Sequence, residues 1–471
     1  MVFSLKYHKI PVSKFDCMSQ KVDFTISPIP QLVRKLAIPT SVGFFFNTMF
    51  NVVDTYYAGT ISTSALAGLS LSFPVFFIIL SLGMGIGTGT TALIANVLGH
   101  GDEQKAKNYA RQAVLFGFIL SFFLTALGYL AVPYLFKFMN AEGEVLQLAL
   151  QYMNVVLACS VFFLLNGILN GILSARGDTV SFRNFLIAGS ILNIGLDPVF
   201  MYGWFGLPAM GVSGIALATV IIQFFGTVYL FFRVGRNGFF SPFDLKFFKP
   251  QKACFTELAQ QGFPASLSTM TVAVGIFIIT YFISFYGQFG VAAYGIATRI
   301  EQIALLPTIG LNVAAITIAG QNYGAGFYDR IKETHRKNLK YGVIIATTGM
   351  VWVFLFSHQI MALFTNDTEV IEIGSTYLKI ATIVFNSYIL MNISIAVLQG
   401  IKKPLFAIWI GLYRQIIMPV LLFPLLAQVF DFRLMGIWWG IAAINWSAAI
   451  ISIVYTRKIL REMKPILPKT A

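Results

Sequence analysis

Long apolar segments alternate with short polar loops along almost the whole chain. Each segment runs for about 20 to 35 residues, the length that an α-helix needs to cross about 30 Å of hydrocarbon. Transmembrane β-strands do not fit, because they are only about 10 residues long and alternate strictly. The pattern predicts twelve membrane-spanning helices, near residues 36–58, 65–97, 112–135, 146–173, 184–204, 210–232, 264–286, 291–321, 341–363, 373–399, 405–428 and 435–456.

The composition agrees with an integral membrane protein. Hydrophobic residues make up 57% of the chain and charged residues 11%, whereas a soluble domain has about 25% charged residues. The longest polar stretches are the N-terminus, the link at 233–262 and the loop at 322–340. None is long enough for a separate soluble domain, so function is expected inside the membrane.

The net charge of +14 is explained by topology rather than by nucleic-acid binding. Of the 33 Lys and Arg residues, 28 lie in the termini and the even-numbered loops, and the odd-numbered loops hold only Lys137 and Arg433. By the positive-inside rule both termini are expected in the cytoplasm. Residues 1–30 lack the apolar run of a cleavable signal peptide, and Met18 is a second candidate start.

The chain also repeats itself at an offset of 225 residues. The segment "TALIANVLGHGD" (91–102) aligns with "ITIAGQNYGAGF" (316–327), and the same offset places 173–180 on 398–405. Each half then holds six helices in one orientation, related by a pseudo-two-fold axis along the membrane normal. The predicted parts are an N-terminal segment (1–35), two bundles (36–232 and 263–456), a cytoplasmic linker (233–262) and a tail (457–471).

Three acidic residues lie well inside predicted spans: Asp54, Asp197 and Glu301. A carboxyl group at mid-span is costly, so each is either functional or part of a structural ion pair or cap. Asn193 stands one helical turn before Asp197 on the same face, and Asn47 stands two turns before Asp54. These polar faces favour a site in the first bundle.

For Glu301, a structural role and a functional role are equally favoured by the sequence. Arg299 is two residues away and therefore lies on a different face of the helix. An intramembrane enzyme would need a metal cluster or a nucleophile with its base. The four histidines, His8, His100, His335 and His358, are all expected in termini or loops, so no enzyme is predicted.

Several short segments together resemble one family of transporters. "NVVDTYYAG", the paired "VLGHGD" and "NYGAG", "ILSARGDT", "NIGLDP" and "GIALAT" are similar to the multidrug and toxic compound extrusion (MATE) family, DinF-like branch, over roughly residues 28–456. The resemblance implies a V-shaped twelve-helix antiporter that exports amphipathic, often cationic drugs and dyes in exchange for H⁺ or Na⁺. No other cofactor, no nucleic-acid partner and no oligomer beyond a monomer is expected.

The resemblance also assigns residues. It implies a coupling site for a proton or Na⁺ at Asp54, Asn193, Asp197 and Thr219, a substrate cavity lined by Asn47, Tyr152 and Asn170, and a hinge at Pro39. Related branches carry acids in the seventh and tenth helices, and here neither span has one away from its ends, which favours coupling in the first bundle. A multi-pass protein of the inner membrane is expected.

Two questions stay open on the sequence alone. A flippase for lipid-linked oligosaccharides is the alternative function, because such proteins share the wider architecture; it would be expected to carry a strongly cationic central cavity. The coupling ion is also undetermined, since carboxylate, amide and hydroxyl oxygens suit a proton or a hard cation.

Overall fold

The computed structural model describes residues 23–139, 141–239 and 249–463, and within these ranges it contains helices but no β-strand. The first half contains α1 (Ile29–Ile61), α2 (Thr63–Gly99), α3 (Glu103–Phe138), α4 (Gly143–Ala158), α5 (Ser160–Ala175), α6 (Val180–Tyr202) and α7 (Val212–Arg236). The second half contains α8 (Lys252–Ser284), α9 (Gln288–Ala304), α10 (Leu306–Gly324), α11 (Tyr328–Ala362), α12 (Thr368–Gly400), α13 (Leu405–Leu412), α14 (Met418–Pro424) and α15 (Arg433–Glu462).

Two spans are bent, and one is built from short helices. α4 and α5 meet at Cys159 with a bend of 51°, and α9 and α10 meet at Leu305 with a bend of 44°. α13 and α14 are joined and extended by π-helical turns into one span, Leu405–Val429. With each bent pair counted once, the described chain has twelve spans, which confirms the predicted number and the all-helical fold class.

Several helices extend beyond the apolar segments that predicted them. α1 begins at Ile29 rather than at residue 36, and α15 continues to Glu462. The stretch predicted as a linker contains the last turn of α7 and the first turns of α8, and residues 240–248 between them lie outside the described chain. Hydropathy detects only the hydrocarbon-crossing part of a helix, so polar turns at the ends were missed.

The histidine placement was wrong for two of the three histidines in the described part of the chain, and His8 lies outside that part. His335 and His358 both lie in α11 rather than in a loop. His335 is buried and forms a 3.1 Å hydrogen bond with the Ser394 hydroxyl of α12. This polar contact joins two helices of one half.

The repeat predicted from sequence is also visible in the helix bounds and turns. Subtracting 225 from the bounds of α12 gives 143–175, which are the outer bounds of the α4–α5 pair. Gly101 and Gly326, which the repeat aligns, both have a left-handed backbone, with φ of +81° and +76°. Glycine adopts this conformation without strain, which explains its presence at both turns.

The two halves contact each other through equivalent residues. The Asn96 amide of α2 donates to the Gly400 carbonyl at 2.8 Å, and the Gln321 amide of α10 donates to the Ala175 carbonyl at 2.7 Å. Adding 225 to 96 and to 175 gives 321 and 400, so each bond is the repeat of the other. We call this pair the reciprocal amide contact. It lies at the membrane face that carries the basic loops, which we call the basic face.

The halves separate toward the opposite face. α2 crosses α8 near mid-membrane, where Gly85 faces Ser266, and α10 crosses α1, where Gly310 faces Ser41. Farther from the basic face, Ile78 of α2 is 40% exposed and Phe277 of α8 is 73% exposed. The arrangement is therefore a V with a cleft that opens away from the basic face.

Candidate functional site

Four polar side chains from three helices meet inside the first half. Asp54 lies near the end of α1, Asn193 and Asp197 lie one turn apart on α6, and Thr219 lies on α7. α1 packs on α6, and α6 packs on α7. All four side chains are buried, with Asp54 the most accessible at 6%. We call this set the acidic site.

One amide bridges the two carboxyl groups. The Nδ2 of Asn193 donates to Oδ1 of Asp54 and to Oδ1 of Asp197, each at 2.9 Å. The hydroxyl of Thr219 donates to the other oxygen of Asp54 at 3.3 Å. The spacing of Asn193 and Asp197 predicted their shared face, but only the packing of α1 against α6 brings Asp54 to the same amide.

Two oxygen atoms of the acidic site have no hydrogen-bond partner among the described residues: Oδ1 of Asn193 and Oδ2 of Asp197. Buried polar atoms are nearly always paired, so such atoms call for an explanation. Both are acceptors, and both belong to residues that the Asn193 amide links to Asp54. A proton or a hard cation such as Na⁺, which binds carboxylate, amide and hydroxyl oxygens, would satisfy them.

Of the three predicted cavity residues, only Tyr152 lies at the acidic site. It is 4% exposed on α4 and is close enough to interact electrostatically with Asp54 and Asp197. Asn47 lies farther back along α1 and is partly exposed. Asn170 lies on α5, where it accepts a 3.3 Å bond from the Ser174 hydroxyl. The structure therefore places Asn47 and Asn170 outside the bonded set.

A residue that the sequence did not single out fastens α1 to α6 beside the site. The Tyr57 hydroxyl donates to the Ile194 carbonyl at 3.0 Å, one residue after Asn193. One turn farther on, the hydroxyl groups of Thr60 and Tyr202 lie 3.2 Å apart. The signal for Tyr57 was its position three residues after Asp54, which puts both on one side of α1.

The predicted hinge residue lies at the contact between the halves. Pro39 is buried inside α1, between Ala37 and Ser41, the two residues that face Gly310 of α10. α1 thus contacts the second half near its start and carries Asp54 near its end.

The second half has a different buried polar cluster. Glu301 of α9 is 8% exposed and lies close to the Tyr377 hydroxyl of α12. The Arg414 guanidinium donates to Asn445 at 2.9 Å and lies over the Tyr388 ring at 5.2 Å. Arg414, Tyr377, Tyr388 and Asn445 line a cavity of about 30 Å³, which is enough for one water molecule.

The repeat shows that the acidic site is not duplicated. Adding 225 to the four positions of the acidic site gives apolar residues: Ile279, Met418, Leu422 and Ile444. The sequence favoured a coupling site in the first half alone. None of the four side chains of the acidic site has a polar equivalent in the second half.

Comparison with known proteins agrees with the twelve-span V and its repeat. The pattern of the MatE family matches residues 39–199 and 264–424. The second range starts 225 residues after the first, because 264 minus 39 is 225. The chain belongs to the MatE family. MatE proteins are transporters rather than enzymes, and the family resemblance seen in the sequence is confirmed.

Relatives of known name cover most of this MatE protein. It is 28% identical over 393 residues to the "Probable multidrug resistance protein YoeA" of Bacillus subtilis, covering 81% of this chain and 83% of that one. It is 27% identical over 395 residues to the "FAD transporter" of Shewanella oneidensis, covering 83% and 87%. A solved structure described as the outward-facing conformation of a multidrug resistance MATE family transporter matches with a TM-score of 0.88 at 26% identity, covering 94% and 99%.

Proposed function

We propose that this multi-pass membrane protein exports amphipathic, cationic compounds in exchange for H⁺ or Na⁺ by alternating access, with the acidic site as the coupling site. The names of its relatives support transport of drug-like small molecules. The observation that carries ion coupling is the pair of unpartnered buried oxygens, on Asn193 and Asp197, beside the carboxyl group of Asp54.

Removal from water favours the neutral form of a carboxyl group, and two adjacent carboxylates repel each other. Binding of a positive ion relieves both costs and therefore stabilises the acidic site. We expect the ion to bind when the site faces the cleft. A cationic compound that enters the cleft is attracted to the same two carboxyl groups. The ion and the compound then compete for the same two carboxyl groups. Because binding of one displaces the other, uptake of the ion is coupled to release of the compound.

α1 can transmit a change in ion binding at the acidic site to the second half. Its outer end carries Asp54, and its inner part contacts Gly310 of α10. Pro39, which cannot donate a backbone hydrogen bond, lies within the region that contacts Gly310, between Ala37 and Ser41. Bending of α1 at Pro39 when an ion arrives would move the contact between α1 and α10.

The driving force is sufficient for useful export. One elementary charge moving through 100 mV supplies about 2.3 kcal/mol. At about 1.4 kcal/mol per tenfold ratio, this sustains a concentration gradient of roughly 50-fold. Because exchange of one ion for one singly charged compound moves no net charge, this energy becomes available when two ions enter for each compound, and one-for-one exchange uses the concentration gradient of the ion alone.

We place the protein in the cell's inner membrane as a monomer, surrounded by lipid, with both termini and the basic face in the cytoplasm. The charge asymmetry of the loops supports this orientation. The cleft then opens to the outside, and Asp54 and Asp197 lie in the outer part of their helices. An ion can reach them from outside.

The test is accumulation of ethidium by reconstituted proteoliposomes under a pH gradient or a sodium gradient, each imposed alone. We expect accumulation under one gradient and none without a gradient. Glu142→Gln removes an exposed acid from the α3–α4 loop and serves as the matched control, with unchanged rates. Equal ethidium movement with and without gradients would overturn ion coupling. Movement of a lipid-linked oligosaccharide, without ethidium, would support the flippase alternative.

A further inference from the structure

The junction of α6 and α7 at the basic face is closed by a carboxylate. Asp178, just before α6, accepts a 3.3 Å bond from the Arg233 guanidinium and a 2.7 Å bond from the Ser181 hydroxyl. A further donor is the Asn237 amide, at 3.1 Å. The start of α6 and the end of α7 thus meet around one acid, whose charge is balanced within the first half.

The repeat places two lysines at the same junction in the second half. Adding 225 to 178 and to 233 gives Lys403, just before α13, and Lys458, near the end of α15. Both are exposed, and neither forms an ion pair within the described ranges. Arg461 lies on the Lys458 side of α15, and Glu462, the repeat of Asn237, also has no ion pair among these residues. The positive-inside rule accounts for cations at this face but not for the loss of their acid.

An aromatic contact joins the two helix ends that carry these lysines. The rings of Phe406 on α13 and Tyr455 on α15 stack with their centroids 4.5 Å apart. Lys458 follows Tyr455 by one turn of α15, and Lys403 comes just before α13, so both lysines lie on the basic-face side of the stack. The equivalent side chains of the first half are in direct contact. Two ammonium groups in this arrangement repel each other, and an anion between them relieves the repulsion.

This junction borders lipid. The cleft opens away from the basic face, so apolar side chains that are exposed near this face contact the bilayer. Leu405 and Trp409 on α13 and Val454 on α15 are all exposed. Tyr455 is 38% exposed, whereas its equivalent in the first half, Leu230, is fully buried. Since tyrosine and tryptophan are typical of the headgroup level of a membrane, the two lysines lie where lipid headgroups are.

We propose that Lys403 and Lys458 bind the phosphate of an anionic phospholipid in the leaflet at the basic face, with the acyl chains lying along α13 and α15. The phosphate takes the position that the Asp178 carboxylate has in the first half. Ammonium groups donate charge-assisted hydrogen bonds to phosphate oxygens, and Arg461 adds a guanidinium beside them. A zwitterionic lipid carries its own cation, so an anionic lipid binds more tightly. This site is separate from the acidic site and does not depend on export.

Lipid binding to the purified, full-length protein is measured by native mass spectrometry. The probes are palmitoyl-oleoyl phosphatidylglycerol and the phosphatidylcholine with the same chains. The double variant Lys403→Ala/Lys458→Ala should bind phosphatidylglycerol about 25-fold more weakly, which is about 2 kcal/mol at about 1.4 kcal/mol per tenfold. Its binding of phosphatidylcholine should change less than about threefold, because that lipid has no net charge.

A second double variant controls for general attraction to a basic surface. Lys332→Ala/Arg336→Ala removes two exposed cations from the first turns of α11 at the same face and changes the net charge equally. Lys332 is already paired with Asp329 at 2.9 Å. Binding of phosphatidylglycerol should fall less than about threefold in this variant. Equal weakening in the two double variants overturns the proposal.

Lys403→Asp separates loss of the lipid site from loss of the fold. It restores the acid that the first half carries, so its unfolding temperature in a neutral detergent should be no lower than that of wild type. Phosphatidylglycerol should raise the unfolding temperature of wild type but not that of Lys403→Asp, because only wild type binds it. An equal rise in both proteins overturns the proposal. So does inorganic phosphate that stabilises wild type as much as phosphatidylglycerol does, since the site would then bind free phosphate rather than lipid.

Discussion

Asn193 is the residue on which the geometry of the acidic site depends. Its single amide group holds both carboxyl groups at 2.9 Å. The residue pattern predicted that Asn193 and Asp197 share a face, because a spacing of four is one helical turn. The pattern could not show which donor Asp54 uses, since that depends on how α1 and α6 pack.

Asn193→Ala should reduce gradient-driven export at least about tenfold, because both buried carboxyl groups lose their shared donor. Thr219→Val keeps the shape of the side chain and removes a longer bond of 3.3 Å, so a two- to threefold loss is expected. Initial rates of ethidium accumulation measure both effects. Asn47→Ala, on α1 but outside the bonded set, should keep ion coupling. If Asn47→Ala uncouples transport and Asn193→Ala does not, the geometry of the acidic site has been misassigned.

At the scale of helices, α1 is the element that connects the acidic site to the other half. Hydropathy predicted this helix but placed its start at residue 36, and the missing turns add Ile29, Leu32 and Val33 to the apolar cluster of the second half. The breaks at Cys159 and Leu305 were also missed. Cys159 lies within an apolar run that contains no proline, so nothing in the sequence marks that bend. Pro307, two residues after Leu305 in the first turn of α10, could have marked the other bend.

Pro39→Ala should impair export while leaving insertion into the membrane intact, because alanine restores a backbone hydrogen bond and stiffens α1. Efflux rates at matched expression measure the effect. Pro133→Ala, which changes a proline inside α3, is the control for a general effect of losing a helical proline. Equal rates for wild type and Pro39→Ala would exclude a hinge at this position.

At the scale of the whole molecule, the repeat of 225 residues accounts for the architecture. The sequence predicted two bundles of six spans, and the structure extends the repeat to individual contacts such as the reciprocal amide contact. Which side of the membrane is closed could not be predicted, because the same helices and the same repeat serve both the open and the closed arrangement. The contacts that close the basic face involve Asn96 and Gln321, which are polar but uncharged and do not stand out in a hydropathy profile.

The reciprocal amide contact should stabilise the arrangement that opens away from the basic face. A net hydrogen bond is worth about 1 kcal/mol, so Asn96→Ala or Gln321→Ala should raise the population open at the basic face about fivefold, and the double variant about 25-fold. Spin labels at positions 78 and 277, measured by pulsed electron paramagnetic resonance, report the width of the cleft. Asn386→Ala serves as the control, because its partner Thr347 lies in the same half. This variant should not change the distance between the two spin labels. Unchanged distances in the double variant would show that other contacts close the basic face.

The orientation in the membrane gives a separate prediction. Cysteines at Lys105, Lys249 and Lys402 should be labelled only from the cytoplasm, and one at Lys137 only from outside, because basic loops stay in the cytoplasm. Labelling of intact cells and of inverted vesicles distinguishes the two sides. The reverse pattern would place the acidic site toward the cytoplasm and remove the supply of ions from outside.

The most direct test of coupling at the acidic site is ion movement driven by the exported compound itself. Proteoliposomes loaded with ethidium, without an ion gradient, should take up H⁺ or Na⁺ as ethidium leaves. We predict that wild type and Glu301→Gln show this uptake and that Asp54→Asn and Asp197→Asn, which delete ionisation at similar size, do not. Ion uptake that persists in both aspartate variants, or that is lost only in Glu301→Gln, would place coupling in the second half and contradict the account.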